Sequence, residues 1–399
     1  MSHPARPAVR GVSLVELMVA LAIGAVLMLG LVQIFAASRA AYQLSEGASR
    51  VQEGSRFAVD YLQRDLRMAG HFGCVNDQTH LLQGPATFTL ASATAGTEAA
   101  YNALPAHQQF HISMQGYEAN GTGSGAARTL PATPSIGDAS QWTPALPPEV
   151  AGRAVAGSDV LALRFLAPDG VPVTGFNPGA GNAPTIGFDA ERGPVLRAGL
   201  AGTPQFLGVA DCSFVTVFTS PGIAEGSSSV EAVVGAGQLG FRNHFEPGNA
   251  QLFRAESIFY YVGLNPVGEP ALYRLRYTGP GSSEVEELVE GVETLQFAYG
   301  ISGTSANRPT GYIGEVHPAG SGGLGNAATS EAAAATWRLV GAVHMGLLVR
   351  SPNPAAVVRG EEGSEYHVLG VQLTPSAGDT RARNAYETTV ALRNRLFGN

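Results

Sequence analysis

The chain has 399 residues, with 24 basic side chains against 32 acidic ones and a net charge of −8. Every basic residue is arginine, which excludes mechanisms that need a lysine amine: a Walker phosphate loop, a Schiff-base lysine, a Ser-x-x-Lys nucleophile or a kinase lysine. The acidic balance and the absence of a basic run argue against a nucleic-acid binder, while 51 Gly and 25 Pro with only 14% charged residues mark a lightly charged, loop-rich, β-leaning chain.

The N-terminus opens with Met1–Gly11, a leader that carries Arg6 and Arg10 and no acid. Val12-Ser13-Leu14-Val15-Glu16 follows, then Leu17–Ala37, 21 residues without a charge. As a helix those residues span about 31 Å at 1.5 Å per residue, which matches a bilayer core. One membrane crossing is predicted. Arginines before the span place the leader in the cytoplasm and the remainder on the exported side. Glu16 is the odd residue, because a carboxylate within an apolar run costs at least about 2.5–3.5 kcal/mol. A cut after Gly11 would give Val12 a new amine one helical turn from Glu16, at i and i+4, where the two charges neutralise each other. In an assembly the same carboxylate could pair with a neighbouring subunit's amine.

At Gly11, Val12, Ser13, Leu14, Val15 and Glu16 the sequence resembles the type IV prepilins, whose processing site reads Gly-Phe-Ser/Thr-Leu-x-Glu. Val12 stands where Phe is usual. The resemblance implies that a membrane-embedded prepilin peptidase cuts between Gly11 and Val12 and methylates the amine of Val12. The competing reading is a secretory signal peptide with its apolar region at Leu17–Val32 and a cut near Ala37. Glu16 interrupts the layout that such a peptide requires.

Beyond the span, Leu44, Ala48, Val51, Ala58, Leu62, Leu66 and Ala69 recur near three-to-four spacing with polar residues between them, the pattern of an amphipathic helix with one buried stripe. Gly47 and Gly54 weaken it by roughly 1 kcal/mol each relative to Ala. Gly70 and Gly73 end it. Arg56-Phe57-Ala58, Leu62, Asp65-Leu66-Arg67, Ala69-Gly70 and Gly73-Cys74 resemble the corresponding segment of PilW-type minor pilins, although a related secretion pseudopilin has a similar helix.

From Cys74 onward the chain reads as strands separated by Gly/Pro/Ser loops. Strands are predicted at Val160–Leu166, Ser213–Phe218, Ser257–Val262, Leu272–Tyr277, Thr294–Tyr299, Val340–Val349, Tyr366–Val371 and Tyr386–Leu392. In Leu272–Tyr277 the alternation places Tyr273, Leu275 and Tyr277 on one side and Arg274 and Arg276 on the other. Asn265-Pro266-Val267-Gly268 reads as a hairpin turn. Gly116–Pro134, Gly175–Gly187 and Gly303–Ala335 read as long exposed loops or local disorder. The PilW resemblance extends to Glu287-Leu288-Val289-Glu290-Gly291-Val292-Glu293, Leu348-Val349-Arg350-Ser351 and Thr388-Thr389-Val390-Ala391-Leu392-Arg393-Asn394.

The head offers no catalytic constellation, metal set or cofactor motif. Gly320-Ser321-Gly322-Gly323-Leu324-Gly325 fits G-x-G-x-x-G literally but has no strand before it and no βαβ unit around it. His107 and His111 have metal-pair spacing, yet no Glu follows the first and Pro105 flanks them, so a surface loop is expected. Asn120-Gly121-Thr122 reads as a sequon in a Gly-rich loop. Trp142 and Trp337 read as packing residues. Cys74 and Cys212 lack Cys-x-x-Cys spacing, which leaves either one disulfide in an oxidising compartment or two buried thiols. A disulfide would close a loop of about 139 residues, worth roughly 5 kcal/mol in chain-entropy accounting, and would staple the helix end to the β core.

The expected fold is therefore α+β and type IV pilin-like: a leader (1–11), a transmembrane half-helix (12–37), an amphipathic half-helix (38–70) packed on a large antiparallel β-rich head, and that head (71–399) in the periplasm. The resemblance implies a minor pilin rather than an enzyme, anchored in the inner membrane before it joins other minor pilins and the major pilin at the start of a filament, with a tip location. Two other readings remain: a minor pseudopilin of a type II secretion system, and a membrane-anchored enzyme or binding module.

Overall fold

The computed structural model describes residues 11–76, 88–305, 308–325, 331–354 and 365–395. Most of the leader, residues 1–10, lies outside them. The first element, α1 (Leu14–Leu66), is 53 residues long, about 80 Å at 1.5 Å per residue. Its start is a capping box: the Ser13 hydroxyl accepts from Val15 N–H at 3.2 Å, and Glu16 Oε2 accepts from Ser13 N–H at 2.9 Å. Its end is earlier than Gly70, because residues 67–70 already form a turn. Gly70 and Gly73 adopt φ of +80° and +76°, a region that favours glycine.

After α1 comes a small hairpin, β1 (His71–Phe72) and β2 (Val75–Asn76). The head then contributes β3 (Phe88–Leu90), β4 (Met114–Ala119), β5 (Ala127–Leu130), β6 (Trp142–Thr143) and β7 (Val160–Leu166). Next are β8 (Val171–Asn177), β9 (Thr185–Phe188), β10 (Phe206–Ala210), β11 (Val215–Thr219) and β12 (Ser229–Glu231). Longer strands follow: β13 (Gln251–Leu264), β14 (Pro270–Gly279), β15 (Ser282–Glu290), β16 (Val292–Ser305), β17 (Arg308–His317) and β18 (Val340–Pro354). The last are β19 (Tyr366–Val368), β20 (Val371–Pro375) and β21 (Arg381–Ala391).

Among the described residues these strands form one large sheet and one four-stranded sheet, with β19, β20 and β5 in a small third and the β1–β2 hairpin apart. In the large sheet β13 is the spine. Its first residues pair with β10 and β8, and its later ones with β7 and β14. The four-stranded sheet is antiparallel in the order β17-β16-β18-β21. Between the two sheets runs the main core, and Val51, Ala58, Leu62 and Leu66 of α1 belong to it. The predicted stripe therefore faces the head from residue 47 onward, whereas Leu44 is exposed. Gly54 lies on that stripe for a packing reason. A Cβ there would stand 3.3 Å from Val289 Cγ1, so glycine lets the helix approach β15 and β18.

Three expected loops are ordered structure instead. Within Gly116–Pro134 lie the end of β4, which is buried throughout, and all of β5. Gly116 was a misleading loop signal: a Cβ there would lie 2.0 Å from the Tyr299 hydroxyl, so glycine makes room for a neighbouring ring. Gly175–Gly187 is largely the β8–β9 pair, in which those two glycines are register partners. The described part of Gly303–Ala335 holds β17 and the start of the helix Glu331–Arg338. The Tyr366–Val371 strand is likewise two strands joined at Leu369 and Gly370, both with positive φ.

Candidate functional site

Gly11 and Val12 are exposed and precede the helix, at the end of α1 farthest from the head packing. Glu16 sits in the first turn of α1, where it already satisfies a backbone donor of the helix start. From Leu17 to Ala37 the side chains are exposed except at Gly30, which is half-buried, and α1 is long and apolar enough to cross a membrane. A free helix with this surface in water would be an aggregation hazard, so its partner is lipid or another apolar helix.

The other half of α1 is seated by polar contacts as well as by the core. Asp65 is on the buried stripe and its Oδ2 accepts from the Tyr260 hydroxyl at 2.6 Å. Arg274 Nη1 lies 3.5 Å from the same oxygen, and its Nη2 donates to Glu286 at 2.6 Å. Burial, then Asp65, push the Tyr260 hydroxyl well above its ordinary value, so it remains a donor. Burial alone would lower Arg274, but Tyr260, Glu286 and Asp65 together raise it. Arg276, on the same face of β14, pairs with Glu256 at 3.1 Å. Gln63 donates to Thr388 at 3.3 Å, and Asn394 donates to the Arg67 carbonyl at 3.1 Å.

A second buried network lies behind that seat. Arg350 donates to Glu293 at 2.8 Å and also to Glu269, which accepts from Arg381 at 2.9 Å. Arg383 donates to Glu293 at 2.7 Å and to Asp379. Burial alone would raise Asp379, but Arg383 and Arg381 hold its carboxyl below the usual range.

These contacts bring together segments that are distant in the chain. Glu287–Glu293 spans the junction of β15 and β16; Leu348–Ser351 is in β18, where Val349 faces Val292; Thr388–Asn394 includes the end of β21, where Thr388 faces Met345 of β18. β18 and β21, together with β15, are the surface on which α1 packs. Residues 259–394 match the family described as Type IV Pilus-assembly protein W. Residues 6–32 match the prokaryotic N-terminal methylation motif. The chain is a PilW-like type IV pilin with a prepilin motif. Comparison with curated proteins found no match. Among solved structures it is similar to the type IV-like pilin TTHA1219 from Thermus thermophilus, at 17% identity over 36% of this chain and 70% of that one. The TM-score of that pair is 0.19, too low to support an argument about shape.

In this PilW-like pilin, Cys74 and Cys212 are joined, with Cα atoms 4.8 Å apart and 138 positions between them in sequence. Cys74 is in the β1–β2 turn and Cys212 in the β10–β11 turn, and both are exposed. The bond therefore ties the turn after α1 to the large sheet, away from Gly11, Val12 and Glu16.

His107 and His111 are buried rather than in a surface loop. His107 Nδ1 lies 2.7 Å from Glu149 and its ring stacks on Tyr277, while His111 Nε2 lies 2.7 Å from Asn102. Only Ala106–Gln108 is helical there, as a short 3₁₀ turn, so the i, i+4 spacing does not put both rings on one helix face. Among the described residues no group of three or more His, Cys, Asp or Glu could hold a metal. Trp142 and Trp337 are buried in the core. The Gly320–Gly325 motif follows β17 but lies in turns; among the described residues it does not open a helix.

Sequence reading missed Tyr260, Arg274, Glu269 and Arg383. One signal was available for the first two: Asp65 falls on the apolar stripe, and a carboxylate there demands a buried donor.

Proposed function

We propose that this minor pilin is cut between Gly11 and Val12 by a prepilin peptidase, methylated at Val12, held in the inner membrane by Leu17–Ala37 with its head in the periplasm, and withdrawn from lipid to prime a filament. The observation that carries the reading is the exposed apolar first half of α1 with one acid, Glu16, at its start, on a helix whose second half is locked to a large head. Before cleavage Glu16 caps Ser13. After it, the new amine of Val12 competes for the same carboxylate at i and i+4. Joining a filament exchanges lipid for neighbouring helices, and Glu16 then sets the axial register by pairing with a neighbour's amine, a use of a buried ion pair for specificity. A head of this size is hard to repeat at every subunit position, which favours a minor and terminal place among the other minor pilins.

The test is Glu16→Ala as the sole copy of the chain. We expect normal amounts of membrane-inserted protein and a strong loss of surface filaments and twitching, counted by electron microscopy and motility assay. Normal filaments would remove the proposed role of Glu16, and loss of secretion with filaments intact would move the chain to a secretion pseudopilus.

A further inference from the structure

Two carboxyl groups meet inside the head, far from the helix seat. Asp159 immediately precedes β7 and is buried, and each of its oxygens accepts one backbone N–H: Oδ1 from Ala119 of β4 and Oδ2 from Phe297 of β16, both at 2.8 Å. It thereby bonds the large sheet to the four-stranded one. Three more contacts line the same seam: Asp159 N–H to the Leu295 carbonyl at 2.9 Å, Leu295 N–H to the Ser158 hydroxyl at 2.9 Å, and the Thr294 hydroxyl to the Gly157 carbonyl at 3.1 Å.

Glu118 of β4 lies against Asp159. Its Oε1 accepts from Thr122 at 3.3 Å, while its Oε2 is covered and has no N–H donor among the described residues. No described arginine or histidine pairs with either carboxylate. The titratable side chain facing the pair from β16 is Tyr299, whose ring reaches over Gly116, while the neighbouring Tyr117 of β4 turns to Arg164 instead. On the outer side Glu118 borders a cavity of about 430 Å³ that Gln296, His344 of β18 and Glu387 of β21 also line. Two like charges at such a site with no cation beside them cannot both be held without a proton between them.

We propose that Glu118 and Asp159 share one proton, and that its loss as pH rises through neutrality loosens the seam between the two sheets of the head. Burial pushes the Glu118 carboxyl up to about 7, and burial followed by the Glu118 charge pushes Asp159 well above its usual range. Both groups are thus raised above their unfolded values. The stability they confer is complete below the ordinary carboxylate range and is lost as pH rises through the folded values. The part governed by Glu118 is lost around neutrality, within the range that an exported protein meets. α1 is seated across both sheets, on β18 and β21 of one and on β15 and β13 of the other, so the proton at their seam connects external pH to how firmly head and helix are held together. This role of the proton is independent of the filament role.

The experiment is amide hydrogen exchange on the full chain in detergent, corrected for intrinsic exchange, read at Ala119 and Phe297. Between about pH 6 and about pH 8.5 the opening of both amides should rise tenfold or more, since each pH step of about one above the folded value weakens the protonated, closed form tenfold. Glu118→Gln, which can donate a hydrogen bond to Asp159 at every pH, should flatten that rise. His344→Gln should not, because His344 bonds Thr389 on the cavity's outer side. A pH-independent opening in the wild type, or the full rise retained in Glu118→Gln, overturns the proposal. If Glu118→Gln fails to fold, the wild type decides: infrared difference spectra with isotope-labelled glutamate should contain a protonated-carboxyl band that titrates near neutrality, and its absence overturns the proposal equally.

Discussion

The Tyr260 hydroxyl donates to Asp65 at 2.6 Å across 195 positions of sequence, and this bond ties the last turns of the long helix to the central strand of the large sheet. Both groups are buried, and Tyr260 is the closest donor to Asp65, whose same oxygen Arg274 approaches at 3.5 Å. Tyr260→Phe should cost about 1–3 kcal/mol, the range for a buried acceptor left short of a donor. Asp65→Asn should cost a similar amount. A double-mutant cycle on denaturant unfolding should return a coupling well above zero, and additive effects would mean that the bond does not hold the helix.

Arg350 is the hub of the second network, since among the described residues it alone bridges Glu293 and Glu269. Arg350→Ala removes one of the two cations of each acid, leaving Arg383 on Glu293 and Arg381 on Glu269, so a loss of about 1.5–3 kcal/mol is expected, the range for hydrogen bonds to charged groups. Arg350→Lys should recover little of it, because one ammonium cannot reach two carboxylates through a planar fork. Thermal unfolding of the detergent-solubilised chain checks both, and a fully stable lysine variant would count against the hub.

The Cys74–Cys212 bond is exposed, so a reductant can reach it without prior unfolding. It spans 138 positions, and chain-entropy accounting gives up to about 5 kcal/mol for a loop of that length. Reduction, or the Cys74→Ser Cys212→Ser pair, should lower the unfolding temperature markedly while leaving α1 in place, because the Asp65 contacts and the apolar seat are untouched. An unchanged unfolding temperature would show that the bond contributes nothing.

How much of this was legible without coordinates depends on the range of the signal. The helix was, because its apolar run and its three-to-four spacing are local patterns, and β13, β14, β16, β18 and β21 were in large part, because long apolar alternation survives reading one segment at a time; the charged β15 and the Gly-containing β17 were not. Glycine misled where it served packing rather than turning: Gly116 lies beneath Tyr299, and Gly175 and Gly187 face each other across a strand pair. Charged residues inside the head were unreadable for a different reason. Glu293 and Arg350 are 57 positions apart, and nothing local distinguishes an acid that will meet an arginine across a strand from one that faces water. The two histidines, expected in a surface loop, are buried, because their partners Glu149, Tyr277 and Asn102 come from outside the segment and leave no local signal.

The assembly role begins with what happens at Gly11 and Val12, and the mass of the mature N-terminus tests it most directly. Purified from the membrane of a cell with an active prepilin peptidase, the chain should begin at Val12 and carry one N-methyl group. A chain that begins near Ser38, as a secretory signal peptide would leave it, has lost both Glu16 and the apolar helix, and that result would contradict the assembly role outright.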